Sequence, residues 1–302
     1  MNRVVVTGPA SQALGQRVAN LLGVPVVPTE FKSFPDGEDY ARLLVEEEGS
    51  LAGVEAVVVQ SCGPGRGAGA SQNSRLFQML MIVDALRRVG AERVRVVVPY
   101  LAYGRQDKVF RPGECKFAGL LVRLVREAGA SELFTVDQHA PTVLEEAGIP
   151  ATNLDPMPLL AAHCNEFDLR DPVVVAPDKG AVERSTAFAR HLGGGARVEV
   201  FSKERDVVSG QIKMAGSLDV EGSDVVVADD IISTGGTMAS AIRIAKESGA
   251  ERAFAVCTHA LLVGNAVTNL FGAGADQIVA TDSIDSEFSV VTLAPLVADA
   301  LR

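Results

Sequence analysis

Short β-branched runs alternate with helical patterns along the chain, and one piece of that alternation occurs twice. Asp84-Ala85-Leu86-Arg87-Arg88-Val89-Gly90-Ala91-Glu92-Arg93 leads into Val94–Pro99. Ile244-Ala245-Lys246-Glu247-Ser248-Gly249-Ala250-Glu251-Arg252 leads into Ala253–Thr258. Both read as a helix, a glycine C-cap and a strand. Strands buried on both faces are continuously apolar, so this alternation predicts an α/β fold with mainly parallel sheets flanked by helices. Two unrelated α/β domains could share a glycine cap by chance. The shared Gly-Ala-Glu-Arg argues for tandem copies of one domain.

The same patterning predicts strands at 3–7, 56–60, 94–99, 133–136, 173–176, 198–201, 224–228, 253–258 and 277–281. Helices are expected at 11–22, 72–89, 117–128, 182–192, 238–248 and 260–271. The chain has 302 residues, enough for two domains of about 150 each. Pro150, Pro156 and Pro158 punctuate the boundary, which puts one domain at 1–148 and a second at 149–289. A net charge of -10 argues against a nucleic-acid partner, which needs a basic face. Cys62, Cys115, Cys164 and Cys257 are scattered without a C-x-x-C pair, which disfavours a disulfide framework or structural zinc. Residues 1–8 run directly into a strand with no signal-peptide pattern, and no apolar run reaches membrane-spanning length. The expectation is a cytoplasmic protein with reduced thiols and no membrane partner.

The second half carries the most informative string, Val225-Val226-Val227-Ala228-Asp229-Asp230-Ile231-Ile232-Ser233-Thr234-Gly235-Gly236-Thr237. An apolar run ends in two acids, a Ser/Thr/Gly loop follows, and a helical pattern begins at Met238. Gly235 and Gly236 allow a sharp turn close to a ligand. Thr237 and the next amides sit at a helix N-terminus, which favours an anion. Carboxylates accept hydrogen bonds from sugar hydroxyls. Together these groups suit a phosphorylated pentose, with vicinal hydroxyls on Asp229 and Asp230 and phosphate on Ser233 to Thr237. The plain alternative is a strand–turn–helix corner whose acids face water. No Gly-Lys-Ser/Thr follows the glycines, as a Walker A element requires, and the G-x-G-x-x-G spacing of a dinucleotide site is absent. The counterpart in the first half, Gly63–Gly69, lacks the paired acids.

Five further strings carry chemistry. Phe34-Pro35-Asp36-Gly37-Glu38 offers a ring to stack on a base and two acceptors for an amine; alone, it reads as an acidic surface turn. Tyr103-Gly104-Arg105-Gln106-Asp107 follows a strand end, where ligands bind in open α/β sheets. Arg105 can grip a phosphate, Gln106 can read an amide-like edge, and Asp107 can orient Arg105. Asp137-Gln138-His139 stands at another strand end, with His139 a metal ligand, a phosphate contact or a structural corner. Asp178 in Pro177-Asp178-Lys179-Gly180 can carry Mg²⁺ or cap a helix, and these roles are compatible. Lys203 and Arg205 alternate, so in an extended segment they point the same way and can stabilise charge developing in pyrophosphoryl transfer. Otherwise they belong to a solvated charge run.

The Asp-Asp-Gly/Thr loop resembles that of both type I phosphoribosyltransferases and ribose-phosphate pyrophosphokinases. The order F-x-D-G-E, R-Q-D, D-x-H, P-D-x-G, K-x-R and D-D-I-I-x-T-x-G-T is similar to that of the pyrophosphokinases over nearly the whole chain. That resemblance implies two tandem type I phosphoribosyltransferase-like domains and transfer of the pyrophosphoryl group of Mg·ATP to the 1-hydroxyl of ribose 5-phosphate. It implies ATP contacts from Phe34, Asp36, Glu38, Arg105, Gln106, Asp107 and His139, and Mg²⁺ on His139 and Asp178. It further implies ribose 5-phosphate contacts from Asp229, Asp230 and Ser233, Thr234, Gly235, Gly236 and Thr237, with Lys203 and Arg205 catalytic. Residues 290–302 are expected to fold back onto the first domain, and assembly as a homodimer or homohexamer with a shared ATP site is implied.

The chain departs from the family pattern at Ser233, where many relatives have an acid, at Lys179, and at Val143–Glu146. The Phe110–Glu114 segment looks like the form common in archaeal members. A phosphoribosyltransferase would use the same loop without an ATP site, which the F-x-D-G-E and R-Q-D strings count against. A silent regulatory paralogue should have lost cations or metal ligands, yet Lys203, Arg205, His139 and Asp178 remain.

Overall fold

The computed structural model describes residues 2–65, 71–193, 195–201, 203–205, 212–214 and 218–302. The chain divides into two units. The first contains β1 (Asn2–Thr7), α1 (Gln12–Leu22), β2 (Val26–Val27), β3 (Thr29–Ser33), β4 (Asp39–Leu43), β5 (Val54–Val59), α2 (Gln72–Arg88), β6 (Arg93–Val98), α3 (Phe117–Glu127), β7 (Glu132–Val136) and β8 (Ala151–Leu154). The second contains α4 (Met157–Asn165), β9 (Val173–Ala176), α5 (Val182–His191), β10 (Arg197–Val200), β11 (Lys203–Arg205), β12 (Ile212–Met214), β13 (Asp224–Ile232), α6 (Gly236–Glu247), β14 (Arg252–Ala260), α7 (Ala266–Gly272), β15 (Gln277–Thr281) and β16 (Ser289–Val291). The last helix, α8 (Ala294–Leu301), belongs to the first unit.

The main sheets have one topology. Their strand orders are β2-β1-β5-β6-β7-β8 and β10-β9-β13-β14-β15-β16. Every pairing in both is parallel. The repeated tetrapeptide does the same work twice. Gly90 and Gly249 take left-handed φ of 94° and 91°. The following alanine amides reach back to Leu86 O at 3.0 Å and Ala245 O at 3.0 Å, closing each helix. The arginine then stands opposite an acid on the neighbouring strand, Arg93 opposite Glu55 and Arg252 opposite Asp224. These pairs approach to 3.7 Å and 2.5 Å.

The central strands are buried because they are apolar on both faces: Val57, Val58 and Val59 of β5 and Val225, Val226 and Val227 of β13 are sealed from solvent. Helix α6 contributes Ala241, Ile242 and Ala245 to the second core, at helical spacing.

Several elements depart from the sequence expectations. The helix expected at 260–271 begins only at Ala266, because β14 stays paired with β13 through Ala260, opposite Ile232. Pro156 and Pro158 initiate α4 rather than forming only a linker, since proline is accommodated in a first helical turn. Strand β8 completes the first sheet, so the units divide at Asp155/Pro156. Segments 282–285 and 292–302 pack with the first unit, and β16, including Val290 and Val291, stays with the second. In that packing Arg95 donates to Leu301 O at 2.8 Å, satisfying the carboxyl end of α8, and to Glu132 Oε2 at 2.7 Å. Residues 66–70 of the first-half glycine segment lie outside the described residues.

Candidate active site

The acid–glycine string forms a strand-to-helix corner in the second unit. Strand β13 carries Asp229 and Asp230 at its carboxyl end. Gly235 caps α6 with φ of 73°, a conformation that glycine adopts without steric cost. A Cβ there would stand 3.3 Å from the Ala266 carbonyl oxygen, so space as well as φ selects glycine. The first helical hydrogen bond runs from Ala239 N to Gly235 O at 2.8 Å. The amides of Gly236, Thr237 and Met238 therefore precede the α-helical ladder, and this geometry can receive an anion. Ser233 O accepts from Val263 N at 2.9 Å, tying the loop to the segment after β14. Thr234 is exposed and Ser233 and Thr237 are half-buried.

The two acids are close and partly desolvated. Asp229 is 21% exposed and Asp230 7%. Asp229 Oδ1 accepts the backbone amide of Asp230 at 2.8 Å. Burial, and then the charge of Asp230, push the Asp229 carboxyl up to about 7. Arg184 on α5 stands 3.7 Å from Asp229 and 3.3 Å from Asp230. Arg184 was not among the residues expected at the site from the sequence. Its signal was present but weak, a cation six residues after Asp178 on the following helix.

Asp178 is a cap: its Oδ1 accepts the amides of Gly180 at 2.8 Å and Ala181 at 3.1 Å, starting a 3-10 turn that leads into α5. Asp178 and Lys179 are both exposed. Lys203 and Arg205 occupy alternate positions of β11, which pairs antiparallel with β12 in the register Lys203 to Met214 and Arg205 to Ile212. Residues 206–211 between these strands lie outside the described residues.

The remaining expected residues lie in the first unit. Phe34, Asp36 and Glu38 form the tip of the β3–β4 hairpin, which closes through Phe34 N to Glu38 O at 2.7 Å, with Gly37 at φ of 93°. Asp36 Oδ1 accepts the Glu38 amide at 3.2 Å, so Asp36 builds the turn. Phe34 is 42% exposed, and Lys32 Nζ lies 5.4 Å from its ring centroid. The hairpin is positioned from α2, where Gln78 donates to Asp39 Oδ1 at 3.2 Å. No strand was expected here, because a two-stranded ribbon of mixed polarity lacks the apolar run that marks a central strand.

Arg105, Gln106 and Asp107 follow β6 on an exposed to half-buried loop. The ion pair of Asp107 is with Lys108 at 3.8 Å, not with the Arg105 it was expected to orient. The structure brings this loop beside the β7 corner: a Cβ on Gly104 would stand 3.0 Å from Gln138 Nε2 and 3.5 Å from His139 Cβ. Both corners are strained, with Tyr103 at φ of 66° and Asp137 at φ of 42°. Asn153 of β8 braces the second corner, its Oδ1 accepting from Thr135 Oγ1 at 3.1 Å and Gln138 N at 2.9 Å. His139 is exposed. Among the described residues no cluster of three or more His, Cys, Asp or Glu is arranged to hold a metal ion, and His139 and Asp178 belong to different units. No described helix is long and apolar enough to cross a membrane.

Two parallel-sheet units of one topology, the second with paired acids before a glycine-capped helix, define a protein of tandem phosphoribosyltransferase-like domains. The family model for the N-terminal domain of ribose phosphate pyrophosphokinase matches residues 3–129, and that for the phosphoribosyl transferase domain matches residues 155–268. The ribose-phosphate pyrophosphokinase of Methanothermobacter thermautotrophicus is 38% identical over 302 residues, covering 99% of this chain and 100% of that protein. That of Methanopyrus kandleri is 38% identical over 302 residues, covering 99% and 98%. The crystal structure of phosphoribosylpyrophosphate synthetase from Mycobacterium smegmatis is similar throughout, with a TM-score of 0.86, 30% identity and coverage of 100% of this chain and 98% of that one. The chain belongs to the ribose-phosphate pyrophosphokinase family.

Proposed function

We propose that this chain transfers the pyrophosphoryl group of Mg·ATP to the 1-hydroxyl of ribose 5-phosphate, giving 5-phosphoribosyl 1-diphosphate and AMP for nucleotide biosynthesis. The observation that carries the reading is the β13–α6 corner, where two acids stand one loop away from the amides at the start of α6. In this reading Asp229 and Asp230 accept the ribose hydroxyls, and Ser233, Thr234, Gly235, Gly236 and Thr237 enclose the 5-phosphate. Phe34, Asp36, Glu38, Arg105, Gln106, Asp107 and His139 bind ATP.

The ribose 1-oxygen attacks the β-phosphorus of ATP. The bond from that phosphorus to the α,β-bridging oxygen breaks, and AMP leaves with the bonding pair while the hydroxyl proton passes to solvent. Lys203 and Arg205 neutralise the charge that grows on the leaving oxygen. Holding sugar and nucleotide in line supplies several kcal/mol, on the order of 7 or more for well-oriented reactants.

The residues fit Mg²⁺. Asp178 is an exposed oxygen donor whose Oδ1 holds two amides, and a carboxylate has about four acceptor positions. Mg²⁺ is commonly held by one or two carboxylates together with substrate phosphates and water, so no all-protein cage is required. Asp178 and His139 would each serve as a Mg²⁺ donor, partly through water. The ion, when bound, would withdraw charge from the phosphate oxygens. The exposed Phe34 tip suits an ATP site shared with a neighbouring subunit in a homodimer or homohexamer, and we place the protein in the cytoplasm.

The test is a coupled assay of AMP release that depends on both ribose 5-phosphate and Mg²⁺. Lys203→Ala should lower kcat by about 100-fold or more, as for loss of one group aimed at developing charge. Full turnover in that variant would remove Lys203 from the mechanism, and AMP release without ribose 5-phosphate would refute the reaction.

A further inference from the structure

Arg184 takes no part in the bond-making and bond-breaking steps, yet its placement is specific. It is the third residue of α5, and that helix is fixed from two sides. Asp178 caps the turn that leads into it. Ser185, fully buried, donates to Ala228 O at 3.1 Å, the carbonyl immediately before Asp229. The first turn of α5 is thereby pinned to β13 beside the acid pair. From there the guanidinium reaches both acids at 3.7 and 3.3 Å, with only 16% of its side chain exposed.

We propose that Arg184 is a positioning residue for the sugar site, a fixed cation that opposes protonation of the Asp229–Asp230 pair and aims it so that ribose hydroxyls meet carboxylates. This rests on the reading that the pair takes ribose 5-phosphate. An ionised carboxylate only accepts hydrogen bonds, and such charge-assisted bonds are about twice as strong as neutral ones. A protonated acid instead presents a donor to the sugar. Two carboxylates in a partly desolvated corner oppose each other's ionisation, and a cation within 4 Å of both counters that. The charged or titratable groups on the elements against the pair include Glu183 on α5, Asp178 and Lys179 on the capping turn, and on β14 the buried Cys257, opposite Asp229, and the buried His259, opposite Ile231. An arginine stays charged through the physiological range, so its contribution does not fade with pH.

The experiment measures ribose 5-phosphate binding by calorimetry on the full chain without nucleotide, from pH 6 to 9, together with steady-state constants for both substrates. Arg184→Ala should weaken ribose 5-phosphate at least tenfold at pH 7 while KM for Mg·ATP changes less than about twofold. The acid limb of sugar binding should move up by about one pH unit, the size of effect expected for loss of a neighbouring opposite charge. Arg184→Lys should recover most of the affinity. It also carries the test if Arg184→Ala does not fold, by giving a smaller shift in the same direction. Unchanged affinity and an unmoved acid limb in the variants would overturn the proposal, as would a pH-independent loss that lysine fails to rescue. Asp229→Asn and Asp230→Asn separate the two levels. If neither weakens the sugar, the ribose reading itself fails. If they do and Arg184→Ala does not, only the role of Arg184 fails.

Discussion

Replacing Asp229 by Asn should make the protein more stable and less active, and the stability gain should depend on pH. Asp229 is mostly buried beside Asp230, and its carboxyl is raised from an ordinary 3.8 to about 7. The unfolded chain releases that proton near 3.8, whereas the folded chain holds it until about 7. Between these values stability from this group declines as pH rises, and above about 7 the decline stops. The interval corresponds to about 4 kcal/mol if the shift belongs to Asp229 alone, and to roughly half that when a proton is shared with Asp230. Asparagine has nearly the same shape and no charge to desolvate. The variant should therefore match the wild type near pH 4 and exceed it by about 2–4 kcal/mol at pH 8. For a unit of this size that is a Tm gain on the order of 5–10 °C. Calorimetric unfolding from pH 4 to 8, with ribose 5-phosphate affinity measured alongside, is the assay. Parallel Tm curves with no gap opening between pH 4 and 7 would refute the account of this corner as a desolvated acid pair.

Gly235→Ala should cost about 1–2 kcal/mol for the left-handed backbone. It should also weaken ribose 5-phosphate, because the new Cβ meets the Ala266 carbonyl at 3.3 Å and shifts the start of α6. Unchanged sugar affinity by calorimetry would show that the α6 amides do not hold the phosphate. Arg95→Met should cost about 1–3 kcal/mol, because the buried Leu301 carbonyl loses its donor while Glu132 keeps Arg93 at 2.8 Å. Glu132 and the Leu301 carbonyl both lose a bond in that variant. Carboxypeptidase should then trim α8 faster, and an unchanged urea midpoint with an intact C-terminus would contradict its role as an anchor.

Much of the fold is legible in the sequence, for local reasons. Valine runs such as 57–59 and 225–227 must be buried on both faces, and Gly90 and Gly249 stop their helices where the sequence places them. The β13–α6 corner is equally local, since acids, glycines and helix start are contiguous. What the sequence obscured involves partners distant along the chain. The end of β14 is set by β13, not by its own residues, so Ala260 remained strand where helical periodicity placed a helix. The β3–β4 hairpin is held by α2 through Gln78 and Asp39. Neither could be read from a window of a dozen residues.

The sequence by itself determined two parallel α/β copies, the acid–glycine loop and the order of motifs that resembles one enzyme family. Each of these follows from contiguous residues, whose periodicity, caps and turn chemistry act over one or two turns of chain. The tertiary structure alone decided that residues 282–285 pack with the first unit while β16 stays with the second, that Asn153 braces the corner before His139, and that Arg184 stands against Asp229 and Asp230. Those choices depend on through-space charge and packing between residues far apart in the chain, for which a linear string of amino acids carries no distance.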